Sequence, residues 1–412
     1  MRSCGVLVLL VVASCGAAVE EFRVVYEWFK LDFEWQNSQA KFEAYARRMY
    51  NPKNNIIQNI KIWEETAFLT LPRSKSGVPA TLVTVSSVPM SNSASPRLQP
   101  FPSWSFQEVG DCNSLQNVQA IEIDPDGFLW VADSGTIEEL REFGEPDNKC
   151  PPKLVIFDIK KRELVSEFEF SRELLRPASI LTDIVIDPRG NKTAYISAVN
   201  DFDASIIVYK NETKSAIKVE GLPRVKPTSV IVNGTEVPLK LNKLSLALSV
   251  WQETLYFNPS WEEMLYSVKV QDLQSDVSSF IKPIGSLQGL SYALILDSKQ
   301  NLYYTILEKD SLGKWNTSRR FEDFSRIITE DNSFLQFPSS FAFDASENLW
   351  VLSNRFQTYL NGDVNLEVPN FRLIRAYTRS NSYMYAPQPA SSAKSIASTA
   401  CFVILLVLVA LR

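Results

Sequence analysis

One short pattern recurs along the chain and constrains its fold more than any other feature. Four segments combine an apolar run, a turn that opens with Asp, and an apolar-aromatic-apolar triplet: IEIDPDGFLWV, IVIDPRGNKTAYI, LILDSKQNLYY and FAFDASENLWV. Two weaker copies read ALSVWQETLYF and NIKIWEETAFL. Apolar runs joined by Asp-containing turns are typical of antiparallel strand pairs. The repetition therefore predicts one supersecondary unit that is used six times.

The spacing of the copies indicates how large each unit is. Turn positions counted from Ile62 to Asp344 are separated by 62, 63, 63, 47 and 47 residues. The shorter spacing suits a four-stranded propeller blade. The longer ones leave room for insertions at 86–104, between the two internal cysteines, and at 211–243. A strand that is apolar on both faces must be covered on both sides, as a blade is by its neighbours in a ring.

A sheet covered by helices is the alternative architecture, and the sequence offers too few helices for it. Helical periodicity is strong only in NSQAKFEAYARRMY, where Phe42, Tyr45, Ala46 and Met49 lie on one face. Parallel sheets need a crossover helix after nearly every strand. We therefore predict an all-β, six-bladed β-propeller with a central channel. The strand-like segments VVYEWFKLDF and NFRLIRAYT, near the two ends of the chain, are expected to pair and close the ring.

The two ends of the chain read as processing signals. Residues 1–18 combine one basic residue, an apolar run and small residues before the expected cleavage point, as a secretory signal peptide does. Residues 386–412 place small residues and a short spacer before the apolar ACFVILLVLVAL, which favours a signal for a glycosylphosphatidylinositol (GPI) anchor. A short membrane span is the alternative. The propeller domain is expected to occupy residues 19–385.

An extracellular location agrees with the cysteines and the glycosylation motifs. Of the five cysteines, Cys112 and Cys150 lie outside the end segments, and we expect them to form a disulfide in an oxidising compartment. N-glycosylation motifs occur at four asparagines, Asn191, Asn211, Asn233 and Asn316. After removal of the end segments, 39 basic residues face 47 acidic ones, a net charge of −8. Without a concentrated basic patch, nucleic acid is not expected as a partner.

The chain contains no histidine, which restricts its chemistry. Serine and cysteine nucleophiles activated by histidine are excluded, and so are histidine-ligated metals. The DPDG turn at Asp124 resembles the start of a calcium loop, but the other ligands of such a loop are missing, so we expect neither a metal nor a cofactor. Any catalysis would depend on a carboxylate with a raised pKa, on Tyr or on Lys. No paired carboxylates can be placed in the channel from the sequence, and no catalytic residue is assigned.

Several longer blocks resemble the yellow / major royal jelly protein family of insects. They include GDCNSLQNVQAIEIDPDGFLWVADSG, CPPKLVIFDI, LQFPSSFAFD, NLWVLSNRF and NFRLIRA, in that order, within roughly residues 24–378. The resemblance implies a secreted propeller. It leaves the function open, because the family includes pigmentation, cuticle, eggshell and food proteins, salivary amine binders and members that convert dopachrome.

The resemblance also implies a ligand site at one end of the channel. Salivary members hold a biogenic amine with a hydroxyl, an amide and an aromatic ring, and the matching positions here are Ser339, Asn354 and Phe356. An amide and a hydroxyl suit an ammonium group, and a ring stacks on an indole or catechol. The alternative is structural: Asn354 caps a strand and Phe356 belongs to the core.

Taken together, the sequence predicts a monomeric, secreted protein of cuticle, pigmentation or eggshell maturation. It would act without conventional catalysis and bind a small aromatic amine or catechol in the channel. Contact with a membrane is expected only through the lipid anchor. A dopachrome isomerase and a salivary-type amine binder are the alternative functions.

Overall fold

The fold was determined from a computed structural model, which describes residues 21–89, 94–141, 143–176, 178–200, 203–226, 228–238, 242–274 and 276–385. These ranges contain six four-stranded antiparallel sheets. The prediction of six blades is confirmed. The signal peptide and the anchor signal predicted from the sequence lie outside the described residues.

Blades 1 to 3 follow one another along the chain. Blade 1 consists of β2 (Asn59–Trp63), β3 (Thr66–Thr70), β4 (Leu82–Ser86) and β5 (Gln99–Pro100). Blade 2 consists of β6 (Val118–Ile123), β7 (Phe128–Asp133), β8 (Lys153–Asp158) and β9 (Glu163–Glu169). Blade 3 consists of β10 (Ile180–Asp187), β11 (Thr193–Val199), β12 (Ala204–Lys210) and β13 (Ser215–Val219).

Blades 4 to 6 complete the ring. Blade 4 consists of β16 (Leu244–Ser249), β17 (Thr254–Pro259), β18 (Met264–Lys269) and β19 (Lys282–Ser286). Blade 5 consists of β20 (Leu294–Leu296), β21 (Asn301–Ile306), β22 (Ser311–Asn316) and β23 (Arg326–Glu330). Blade 6 consists of β24 (Pro338–Phe343), β25 (Asn348–Ser353), β26 (Phe371–Tyr377) and β1 (Arg23–Trp28).

Few other elements lie within the described ranges. A hairpin of β14 (Ser229–Val232) and β15 (Thr235–Pro238) occupies the insertion between blades 3 and 4. The α-helices are α1 (Ser38–Ala46), α2 (Phe321–Phe324) and α3 (Phe356–Asn361). Among the described residues, no helix is long and apolar enough to cross a membrane.

The first strands of the blades form the inner ring. Each contacts the first strand of the next blade, from β2 through β6, β10, β16 and β20 to β24, and β24 returns to contact β2. The aromatic triplets lie one strand further out, in β3, β7, β11, β17, β21 and β25. Both strands are almost entirely buried in each blade, so the apolar runs cover one another from blade to blade.

The ring closes in blade 6, where the N-terminal strand β1 pairs with β26 near the other end of the chain. Trp28 pairs with Phe371, and both side chains are buried. Glu27 accepts a hydrogen bond from Arg372 Nε at 2.7 Å across the same strand pair. The predicted closure by the two terminal segments is confirmed, and it leaves β26 without an open edge.

Acidic turns after the inner strands act as backbone caps. Asp124 Oδ1 accepts hydrogen bonds from the amides of Asp126 and Phe128 at 2.9 and 3.2 Å. Asp344 Oδ1 does the same for Ser346 and Asn348 at 2.8 and 3.0 Å. These bonds confirm the interpretation of the repeat as hairpin turns. The turn position predicted in blade 1, Ile62, was wrong: Ile62 lies within β2, because the turn there is shorter and occupies residues 64–65.

Candidate ligand site at the channel mouth

The candidate site lies at the end of the channel where the inner strands begin. Gln58, Asn117, Tyr292 and Phe337 each precede the first strand of a blade by one or two residues. They are buried. Because the inner strands run side by side around the ring, these residues surround one opening, which we call the channel mouth.

The structure brings the three predicted ligand residues together at this mouth. Ser339 is the second residue of β24, Asn354 follows β25, and Phe356 begins α3. Asn354 Nδ2 donates to the Ile57 carbonyl at 2.9 Å and to Gln58 Oε1 at 3.2 Å. Its Oδ1 accepts from the Phe356 amide at 3.2 Å. All three side chains are 2% exposed or less, so the amide of Asn354 is already satisfied within the protein.

Phe356 belongs to an aromatic cluster together with Tyr292, Phe337 and Tyr359. Its ring stacks on Tyr359, with centroids 5.8 Å apart and planes at 19°. It meets Phe337 edge-on at 5.2 Å and Tyr292 at 5.8 Å. Tyr292 in turn meets Phe337 edge-on at 5.2 Å. This aromatic cluster forms one wall of the channel mouth, and binding by Ser339, Asn354 and Phe356 stays a prediction.

A carboxylate that the sequence reasoning missed, Glu139, lies near this cluster. Glu139 accepts hydrogen bonds from Ser74 Oγ at 2.8 Å, from Gln119 Nε2 at 3.1 Å and from Asn117 Nδ2 at 3.2 Å. All of these donors are neutral, and no lysine or arginine among the described residues forms an ion pair with it. Desolvation raises the pKa of Glu139 although the side chain keeps some accessible surface. That combination is typical of a group lining a narrow opening.

The two tyrosines of the aromatic cluster contact Phe356 and are also near enough to Glu139 for its charge to affect them. Burial raises the pKa of both Tyr292 and Tyr359, and the negative charge of Glu139 raises both further. The Tyr359 hydroxyl is buried and has no partner at hydrogen-bond distance and angle, although Ser74 is near enough to influence its pKa. Above the ring, Lys75 Nζ is 4.3 Å from the Tyr359 centroid. The channel mouth therefore combines a carboxylate with aromatic faces.

Four further charged residues lie in the inner strands or, in the case of Lys243, directly before one. Lys61 Nζ is 2.8 Å from Glu122 Oε2, and Lys243 Nζ is 4.0 Å from Asp183 Oδ2. Burial raises the pKa of Glu122 and lowers the pKa of Lys243. The two pairs balance each other in charge, whereas no described lysine or arginine forms an ion pair with Glu139. Two lysines nevertheless lie over rings of the aromatic cluster: Lys75 over Tyr359, and Lys243 over Tyr292 with Nζ 5.5 Å from the ring centroid.

The comparison with known proteins decides the family. Residues 116–384 match the family model for "Major royal jelly protein". The chain belongs to the major royal jelly protein family. Protein yellow of Drosophila yakuba is 25% identical over 391 residues, covering 90% of this chain and 71% of that protein. Major royal jelly protein 9 of Apis mellifera is 25% identical, covering 86% and 87%. Dopaminechrome tautomerase of Drosophila melanogaster is 24% identical, covering 86% and 82%.

Membership in the major royal jelly protein family confirms the resemblance seen in the sequence blocks. It does not identify Glu139, which follows the ADSG block without any pattern of its own. Glu122 carried a weak sequence signal, since it is the one charged residue of the inner strand β6. Asp183, in LTDIVID, carried the same signal, and the structure places it near enough to Glu122 to influence its pKa.

Proposed function

We propose that this protein is an extracellular propeller that binds a small aromatic amine at the channel mouth and acts in pigmentation, cuticle or eggshell maturation. Its relatives include Protein yellow and a dopaminechrome tautomerase, which supports a role close to catecholamine chemistry. The protein would act as a binder, without conventional catalysis.

The observation that carries the proposal is Glu139, a carboxylate with only neutral donors beside the aromatic cluster. A buried charge is costly unless an opposite charge compensates it. An ammonium ion entering the channel mouth would supply that charge, and its aromatic body would lie on Tyr292, Tyr359 or Phe356. A neutral catechol gains the contact with the aromatic rings but not the pairing with the Glu139 charge. The site therefore favours amines such as dopamine, serotonin and tyramine.

Isothermal titration with dopamine tests the proposal. We expect Glu139→Gln to weaken dopamine binding at least about tenfold, which corresponds to about 1.4 kcal/mol, because the ammonium group loses its counterion. The affinity for neutral 4-methylcatechol should stay unchanged. Glu138→Gln is the matched control, because the Glu138 carboxylate pairs with Arg141 at 3.3 Å and makes no contact with the channel mouth. Dopamine binding that is absent, or equal in wild type and Glu139→Gln, would refute the proposed site.

A dopachrome isomerase is the second candidate function. It is supported by the tautomerase among the relatives and by the raised pKa of Glu139, because a carboxylate of this kind accepts a proton more readily near neutral pH. Tautomerisation moves a proton from a ring carbon to oxygen, and Glu139 would carry it. An absorbance assay with dopachrome separates the two functions: a turnover that Glu139→Gln abolishes would favour the enzyme, and no turnover favours the binder.

Secretion, glycosylation and anchoring belong to the same proposal. The disulfide between Cys112 and Cys150 supports an oxidising compartment, and so does the signal-like N-terminus. We propose that the C-terminal segment directs GPI anchoring, so that phospholipase C should release the protein from intact cells. Salivary-type amine transport would use the same channel mouth, and expression confined to salivary tissue would favour it.

A further inference from the structure

A second cavity lies outside the propeller channel, between α1 and the loops of blades 1 and 2. Its volume is about 450 Å³, within the range of sites that hold drug-sized molecules. The walls come from α1, from the β3–β4 loop around Val78 and Pro79, and from the segment around Trp104. Neither Glu139 nor the aromatic cluster lines this α1 cavity, although Lys75, which does, also contacts Tyr359 of that cluster.

Arg73 holds the floor of the α1 cavity in place. Its guanidinium donates to the carbonyls of Val78 and Pro79 on one wall, at 3.0 and 3.1 Å, and of Gln107 on another, at 2.6 Å. It also donates to the carbonyls of Leu115 and Gln116. Because the buried Arg73 side chain is fully hydrogen-bonded and joins two walls, the cavity is already formed before a ligand binds.

The floor carries a positive charge that no carboxylate contacts directly. All five hydrogen bonds of the Arg73 side chain go to carbonyl groups, and burial lowers its pKa to about 10, so it stays charged at neutral pH. At the rim, the exposed Arg48 side chain makes no ion pair with any described residue. Three acids line the cavity: Glu43 and Glu138 are paired with Arg47 and Arg141, and Glu108 is exposed. Four basic residues line it as well, namely Arg47, Arg48, Arg73 and Lys75. The electrostatic balance therefore favours an anion.

The remaining lining is apolar and aromatic. Trp35 and Trp104 stack with centroids 5.2 Å apart and planes at 20°. Their indole N–H groups donate to Asp32 Oδ1 and to the Glu34 carbonyl, so the rings offer carbon surface to the cavity. The apolar face of α1 seen in the sequence does not cover the cavity: Phe42 is 67% exposed and Met49, which lines the rim, is 55% exposed.

We propose that the α1 cavity binds an amphipathic carboxylate, with its apolar body against Trp35, Trp104 and Val78 and its anionic group toward Arg48. This site is independent of amine binding at the channel mouth. A cationic molecule of the same shape meets Arg73 below and Arg48 at the rim, and should bind less well.

A matched pair of probes tests the site. Naphthalene-2-acetate and 2-(naphthalen-2-yl)ethylammonium have similar bodies and opposite charges. In isothermal titration, we expect the acetate to bind with one site per chain and the ammonium compound at least about tenfold more weakly, a difference of about 1.4 kcal/mol. Equal binding of the two probes, or no binding of the acetate, would overturn the proposal.

Two variants locate the binding. Ala40→Trp fills the cavity from the partly exposed side of α1 and should abolish acetate binding. Arg48→Glu reverses a charge on the surface, where folding is not at risk, and should weaken acetate binding about fivefold. Arg320→Glu is its control, because Arg320 is also exposed but lies between β22 and β23 of blade 5, where it pairs only with Glu322 and Asp323 of its own segment. Acetate binding that survives both cavity variants unchanged would show that the probe binds elsewhere and would refute the site.

Discussion

At the scale of single residues, the two tryptophans in the middle of triplets bond to the turn aspartates of their blades. Asp124 Oδ2 accepts a hydrogen bond from Trp130 Nε1 at 2.9 Å, and Asp344 Oδ2 accepts one from Trp350 Nε1 at 2.8 Å. In both blades the aromatic residue lies six positions after the turn aspartate. The aspartate therefore caps the turn with one oxygen and holds the buried indole with the other, which links the hairpin to the core.

Trp350→Phe tests this link. The substitution keeps a buried ring but leaves Asp344 Oδ2 without its indole donor, and we expect a loss of about 1–2 kcal/mol in the free energy of unfolding. Urea denaturation followed by circular dichroism would measure it. Trp251→Phe is the control, because Trp251 is 46% exposed and makes no such bond. A loss no larger than that of the control would contradict the role of the link.

The limits of sequence reasoning also show at this scale. Ser339, Asn354 and Phe356 were located by their sequence blocks, and the structure brings them together. Glu139 was missed, because its environment is built by Ser74, Asn117 and Gln119 from two other segments. The charge state of a residue depends on such neighbours in space, and a single sequence does not show which segments meet.

At the scale of elements, the ring depends on a strand supplied from the opposite end of the chain. The repeat predicted the blades, and the strand-like segments near the two ends of the chain predicted the closure, because apolar strands and turns are local signals. The hairpin β14–β15 and the shorter turn of blade 1 escaped prediction, since both lie where the repeat is weakest. The exposure of the apolar face of α1 could not be predicted either. Periodicity shows that a helix has an apolar face, but it does not show whether another part of the protein covers that face.

Trp28→Ala tests the contribution of β1. Trp28 is fully buried between β26 and the 94–98 segment, where its Nε1 donates to the Pro96 carbonyl at 2.8 Å. Truncation of a buried tryptophan should cost about 3–5 kcal/mol, measured by chemical denaturation. Val24→Ala, in the same strand but 43% exposed, should cost less than about 1 kcal/mol. Equal losses in the two variants would contradict a closing role for the buried side of β1.

The predicted disulfide is present and joins the segment before β6 to the segment before β8. Cys112 and Cys150 are 38 positions apart. Replacing both with Ser should lower the free energy of unfolding by about 3–4 kcal/mol, because the unfolded chain regains the entropy of an open loop. Thermal denaturation with and without a reductant provides the check. The reductant should lower the melting temperature of the wild type only, and an equal effect on the variant would contradict this assignment.

The whole molecule lacks histidine, so its response to pH near neutrality depends on displaced carboxyl groups. Desolvation raises the pKa of Glu122, Glu139 and Glu308. A carboxyl whose pKa is higher in the folded state releases its proton first in the unfolded state. Such a group lowers stability as the pH rises from its unfolded pKa to its folded pKa.

Glu139→Gln should remove this pH-dependent loss of stability at one carboxyl group. Below the unfolded pKa of the carboxyl, wild type and variant should differ little. As the pH rises from the unfolded pKa of the Glu139 carboxyl towards its higher folded pKa, the variant should become the more stable of the two. Melting temperatures measured across pH 4–8 would show this. Glu138→Gln, which breaks only a surface pair with Arg141, should not show this gain. A variant less stable than wild type at every pH would mean that hydrogen bonding outweighs desolvation at Glu139.

Ring closure also sets the order of events during synthesis. Glu27 and Arg372, which meet across the last strand pair, are 345 positions apart. Among the strands of the described fold, a ribosome adding residues from the N-terminus exposes β1 first and its partner β26 last. The earliest strand to emerge must therefore wait unpaired while five complete blades form behind it. The nascent protein thus carries β1 without its sheet partner until β26 has been synthesised.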